Sequence, residues 1–203
     1  MLDLKREWFK SEERFIGRTL GKLPITPNQW TALSVVFALA GLYFTVTLSF
    51  GPAFVMFFFA GILDFVDGSV ARAKNMSSKT GAYIDTVVDR YVEGIMLFGL
   101  LFVALPEILI PAYTWVFLAI FGSIVTTYAK AAAKEKELVN QELKGGLMSR
   151  GERIILIFII FILLTLSQAY IATIILIVIA VLSNFTALQR FFSAINLNKK
   201  DIK

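Results

Sequence analysis

Four aspartates, Asp64, Asp67, Asp85 and Asp89, stand at fixed intervals in an otherwise apolar part of the chain, with Gly68, Ala71, Arg72 and Gly81 among them. Ionisable groups within membrane-spanning segments are costly and mark functional sites by default. The chain has no His and no Cys. That removes the commonest general base and the usual zinc ligands, so a base must be a carboxylate and a metal must be held by oxygen. Asp64 and Asp67 are three residues apart and Asp85 and Asp89 four apart, so each pair shares a helical face. Crowded carboxylates in a low-dielectric site cannot all stay ionised without compensation. Divalent cations compensate them, and an oxygen-only ligand set selects hard ions such as Mg²⁺, Mn²⁺ or Ca²⁺. Two such ions about 4 Å apart can clamp a diphosphate and polarise the bond being broken. Gly68 and Ala71, one helical turn apart, leave the backbone open to a flat ring or a phosphate, and Gly81 does the same from the next helix. Arg72 adds a fixed positive charge beside the place where phosphates would lie.

The elements that must hold these groups are membrane helices. The 203 residues are 57% hydrophobic, with a mean hydropathy of +0.73, against roughly 45–50% apolar residues in soluble domains. The pattern predicts an all-α integral membrane protein: six transmembrane helices in one domain, 1–203, preceded by an amphipathic interfacial helix over 1–23. Leu4, Trp8, Phe15, Ile16, Thr19 and Leu23 fall near one face of that leader, opposite Lys5, Arg6, Lys10, Glu13 and Arg14, as suits a helix lying in the interface. No cleavable signal peptide is expected, because the leader carries charge throughout. The first span starts at Thr26 and Pro27, an N-cap followed by a first-turn proline, and Gly51-Pro52 is expected to end it. The further spans are expected near 52–74, 81–105, 112–134, 149–166 and 170–192, completing a bundle over 26–192, with a basic tail over 193–203. The fourth span loses its apolar character near Tyr128 yet is expected to stay helical through Lys130 and Lys134. Gly145-Gly146 breaks the connection that follows.

Lys and Arg gather in the leader, around the 75–80 turn, between the fourth and fifth spans and at the C-terminal end, whereas the opposite turns carry only Glu107. The positive-inside rule therefore predicts cytoplasmic termini and an even number of spans, which six satisfies. The net charge of +5 is thus directed to a membrane surface, not to nucleic acid. Counted from Arg72 and Lys79 at about 1.5 Å per residue, all four aspartates lie roughly 8–15 Å inward. They are expected to converge just inside the cytoplasmic boundary.

The run D-x-x-D-G-x-x-A-R-x8-G-x3-D-x3-D, residues 64–89, resembles the signature of the CDP-alcohol phosphotransferase family at every fixed position. The resemblance extends to the six spans, the interfacial helix and the Thr26-Pro27-Asn28 opening with Thr31. It implies that Asp64, Asp67 and Asp85 are metal ligands. Asp89 would be a further ligand and the general base toward the acceptor hydroxyl. Gly68, Ala71, Arg72 and Gly81 would line a cytidine diphosphate site, with Asn28 and Thr31 near the diphosphate. The implied reaction is attack of an alcohol on the β-phosphorus of a CDP-alcohol such as CDP-diacylglycerol or CDP-archaeol, releasing CMP. It would use two divalent cations, Mg²⁺ or Mn²⁺, in a homodimer of the plasma membrane whose active site faces the cytoplasm.

For the acceptor, Lys130, Lys134, Arg150, Arg153 and Arg190 make a basic set suited to an alcohol that itself carries phosphate. The segments Thr127–Lys130, Gly146–Arg153 and Ser183–Arg190 resemble the branch that transfers to inositol phosphate. That branch usually has Arg where this chain has Ala132, so glycerol phosphate, serine or a soluble CDP-inositol donor stay open. Glu93 continues the Asp85/Asp89 face, either to orient Asp89 or a metal-bound water, or to bond a neighbouring helix. The contrasting reading is an ion or proton carrier. It is disfavoured because the outer half of each span is almost wholly apolar and no repeated halves occur.

Overall fold

The computed structural model of the protein describes residues 16–139, 143 and 145–201. Its described part is all-helical, and its long helices are α1 (Pro27–Val46), α2 (Phe50–Ala73), α3 (Lys79–Gly99), α4 (Ala112–Glu135), α5 (Arg150–Thr165) and α6 (Ala169–Asp201). Four of them, α1, α2, α4 and α6, are long and apolar enough to cross a membrane. The other two fall short for different reasons. α3 carries Asp85, Asp89, Arg90 and Glu93 within its length, and α5 has 16 residues, about 24 Å of helix. Most of the expected interfacial leader, residues 1–15, lies outside the described residues; residues 16–20 are helical.

Two compact units result, the first built on α1, α2 and α3, the second on α4, α6 and most of α5. In the first, α1 starts as its sequence predicts: Pro27 occupies the first turn, and the Thr26 N–H donates to Gln29 Oε1 at 2.8 Å. Trp30, Leu63, Val66 and Val70 form a buried cluster, sealed by Ile16, Leu20, Ile25, Leu33 and Phe37. Gly41 seats the Phe57 ring so closely that a Cβ there would lie 2.6 Å from it. The first span ends earlier than expected. Val46 is its last residue, and Leu48 turns the chain at φ +58°. Gly51 and Pro52 fall inside the first turn of α2 instead, where a proline forfeits no intrahelical hydrogen bond.

In the second unit α4 and α6 pack at close range. A Cβ on Gly122 would meet Asn184 Nδ2 at 2.6 Å and its backbone nitrogen at 2.8 Å. Asn184 Nδ2 donates to the carbonyls of Leu118 and Ala180, each at 2.8 Å, and Thr126 Oγ1 donates to the Ser183 carbonyl at 2.9 Å. α4 does continue past Lys130 and Lys134, to Glu135. α6 runs on through the stretch expected to be a tail, as far as Asp201. The extension has a core to join: Ala194 is buried with Ala133, Val139 and Leu143, and burying that face stabilises the added turns more than propensity alone.

Candidate active site

The aspartates lie on α2 and α3, inside the first unit. Asp64, Asp85 and Asp89 each present a carboxylate oxygen, and these oxygens lie within 4.8 Å of one another. Asp89 is 8% exposed, and Arg90 Nη2 stands 3.4 Å from its Oδ2. Asp67, 4% exposed, stands outside that triad; its Oδ2 accepts the Thr31 hydroxyl at 2.5 Å. Glu93 is deeper, one turn beyond Asp89 and 1% exposed.

Beside the triad is a cavity of about 490 Å³. One wall is the start of α1, with Thr26, Pro27, Asn28 and Thr31. A second is the end of α2, with Asp67, Gly68, Ala71 and Arg72. Ser78, Gly81, Ala82 and Asp85 close it from α3 and its cap. All six residues expected to touch a nucleotide line this one cavity, and Asp85 belongs to both cavity and triad. Gly68 leaves room for the Arg72 guanidinium, whose Nη1 would lie 3.4 Å from a Cβ placed there. At Gly81 a Cβ would come within 3.1 Å of Ser78 Oγ and 3.7 Å of Asn28 Oδ1. Ser78 Oγ accepts the Gly81 N–H at 3.0 Å and so caps α3. Ser78, Gly81 and Ala82 put the first turn of α3 on the cavity, and helix N-termini favour anions.

Sequence reasoning passed over Ser78 and Arg90. A Ser three residues before Gly81 is a legible N-cap signal, whereas nothing in the spacing sets Arg90 apart from an ordinary cytoplasmic cation. The oxygen-only donor set of Asp64, Asp85 and Asp89 fits a hard divalent cation and offers nothing to a soft one.

The family model of the CDP-alcohol phosphatidyltransferases matches residues 24–185. The chain belongs to this family. Its members are transferases of substituted phosphate groups, and the phosphatidyltransferase match runs through both units. The chain is 33% identical over 195 residues to the archaetidylinositol phosphate synthase of Pyrococcus horikoshii, covering 96% of each protein. It is 30% identical over 145 residues to the phosphatidylinositol phosphate synthase of Mycobacterium tuberculosis, covering 70% of this chain and 65% of that one. Its fold is shared with two crystal structures of the mycobacterial synthase. One has CDP-DAG bound (TM-score 0.77, 23% identity, 90% of this chain and 92% of that one), and the other is a complex with manganese and citrate (TM-score 0.78, 24% identity, 90% and 88%).

The basic residues suggested for the acceptor all belong to the second unit. Arg153 is 1% exposed, and its Nη1 donates to the Met148 carbonyl at 3.4 Å. Arg190 donates to two carbonyls, Thr126 at 3.0 Å and Gly145 at 3.4 Å. Lys130 and Arg150 are half-buried and Lys134 is exposed. Ala132 lines an apolar groove of about 530 Å³ along α4 and α6.

Proposed function

We propose that the protein transfers the phosphatidyl-type group of a CDP-linked lipid, CDP-diacylglycerol or CDP-archaeol, to a hydroxyl of inositol phosphate, releasing CMP. The observation that carries this reading is Asp85, shared by the carboxylate triad and by the cavity of Asn28, Gly68, Arg72 and Gly81. The cavity takes the cytidine diphosphate half of the donor, with its phosphates toward Arg72 and the first turn of α3. Asp64, Asp67, Asp85 and Asp89 hold a pair of divalent cations, Mg²⁺ or Mn²⁺. When bound, these would supply Lewis-acid stabilisation of the diphosphate and of the leaving CMP oxygen. Asp89 takes the proton from the acceptor hydroxyl as its oxygen bonds the β-phosphorus. The bond from that phosphorus to the bridging oxygen breaks, and CMP departs with the bridging oxygen.

Inositol phosphate is favoured as acceptor by the similarity to the archaetidylinositol phosphate synthase over 96% of both chains, and the three arginines of the second unit suit an acceptor that carries phosphate. Arg150, Arg153 and Arg190, with Lys130 and Lys134, take the acceptor's phosphate in this reading. All six helices span the plasma membrane as one catalytic domain, α3 and α5 included. Both termini and the active site face the cytoplasm, and the protein works as a homodimer. The orientation rests on the distribution of Lys and Arg, and the homodimer on the family resemblance.

CMP release from CDP-diacylglycerol and CDP-archaeol, measured with inositol phosphate, glycerol phosphate, serine and inositol, tests the assignment. Inositol phosphate should give the highest kcat/KM. A higher kcat/KM with glycerol phosphate or serine would replace it as the acceptor.

A further inference from the structure

Lys74 follows Arg72 by two residues at the end of α2, close to the cavity, and its charge looks available for phosphate. Its ammonium is used otherwise. Nζ donates to the Leu23 carbonyl and to the Ile25 carbonyl, each at 2.9 Å, and the side chain is half-buried. Residues 23–25 precede α1, so their carbonyls have no place in that helix's hydrogen-bond ladder and need an outside donor. The residues just before them are fitted to the same end of α2. A Cβ on Gly17 would meet the Ser69 carbonyl oxygen at 2.5 Å and Ala73 Cβ at 3.1 Å, and one on Gly21 would meet Lys74 Cε at 3.9 Å. Immediately after the tethered carbonyls come Thr26, Pro27 and Asn28, which form a wall of the cavity. Gly68, Ala71 and Arg72, on the helix that Lys74 ends, form another wall.

We propose that Lys74 is a positioning residue for the donor: it straps the chain entering α1 to the end of α2 and so sets the separation of the two walls that receive the nucleotide. The inference rests on the reading of this cavity as the CDP site. It assigns Lys74 no contact with substrate.

The test compares Lys74→Met and Lys74→Arg in the full-length protein, with CDP-diacylglycerol as donor, Mn²⁺, and whichever acceptor supports wild-type turnover. Lys74→Met should raise the donor KM about tenfold, the equivalent of one good hydrogen bond to a charged group. Acceptor KM and kcat should stay within about twofold, and Lys74→Arg, which can also donate to two carbonyls, should recover most of the loss. Amide hydrogen exchange of the nucleotide-free protein over residues 23–30 should be faster in Lys74→Met, because the tether is lost before any ligand arrives. An unchanged donor KM would overturn the inference. So would a raised donor KM with unchanged exchange, since that is the behaviour of a lysine that only pairs with donor phosphates. If the wild-type protein releases no CMP with any acceptor, the proposed function falls. CMP titration then decides alone, and Lys74→Met binding CMP as tightly as the wild type would overturn the strap.

Discussion

The Thr31 hydroxyl donates to Asp67 Oδ2 across 36 residues of sequence, joining α1 to α2 in the wall of the cavity. The bond satisfies one oxygen of a carboxylate that is 4% exposed. It also fixes which way that carboxylate turns. Thr31→Val keeps the volume and removes the donor, so Asp67 loses its orienting partner. A fall in kcat/KM of about ten- to hundredfold is expected, from a charge-assisted bond worth roughly 1.5–3 kcal/mol. Thr31→Ser should retain most of the activity. Steady-state kinetics with CDP-diacylglycerol checks both.

Asp89→Asn preserves size and removes the charge at the residue cast as base. Turnover should fall by at least about a hundredfold, the usual share of general base catalysis, while CMP still binds through the cavity, which Asp89 does not line. Single-turnover kinetics and CMP titration separate the two effects. Wild-type turnover in this variant would remove Asp89 from that role.

Gly122→Ala tests packing apart from chemistry. The added methyl would fall 2.6–2.9 Å from atoms of Asn184, far inside van der Waals contact. Overpacking of this kind costs about 1–3 kcal/mol. The expected result is a lower unfolding temperature in detergent, with donor KM unchanged in the folded fraction.

Arg153→Ala should raise the KM for a phosphorylated acceptor far more than the donor KM. The guanidinium is fully buried and bonds the Met148 carbonyl, so some loss of stability will accompany it. Equal changes in both KM values would argue against a role in acceptor binding.

The parts of the fold that follow local rules were legible beforehand. Thr26 and Pro27 open α1 because an N-cap and a first-turn proline are short-range signals, and α4 continues past Tyr128 to an end where the exposed Lys134 suits the last turn. The aspartate spacing led to the site because three- and four-residue intervals bring side chains onto one face. Long-range relationships were not legible. Nothing in the periodicity pairs Thr31 with Asp67 or Lys74 with the carbonyls of Leu23 and Ile25, since such bonds depend on how separate helices meet. Gly51-Pro52 does not act as a stop, because proline breaks a helix interior yet fits its first turn. The added length of α6 depends on a core made with Ala133, Val139 and Leu143, residues far from it in sequence.

Manganese binding measured by electron paramagnetic resonance, with CMP present, tests the central claim most directly. The carboxylates of α2 and α3 should bind a pair of Mn²⁺ ions in the wild-type protein, and Asp64→Asn combined with Asp85→Asn should abolish that binding together with CMP release. Undiminished Mn²⁺ binding in the double variant, or full activity in the presence of a chelator, would contradict the account.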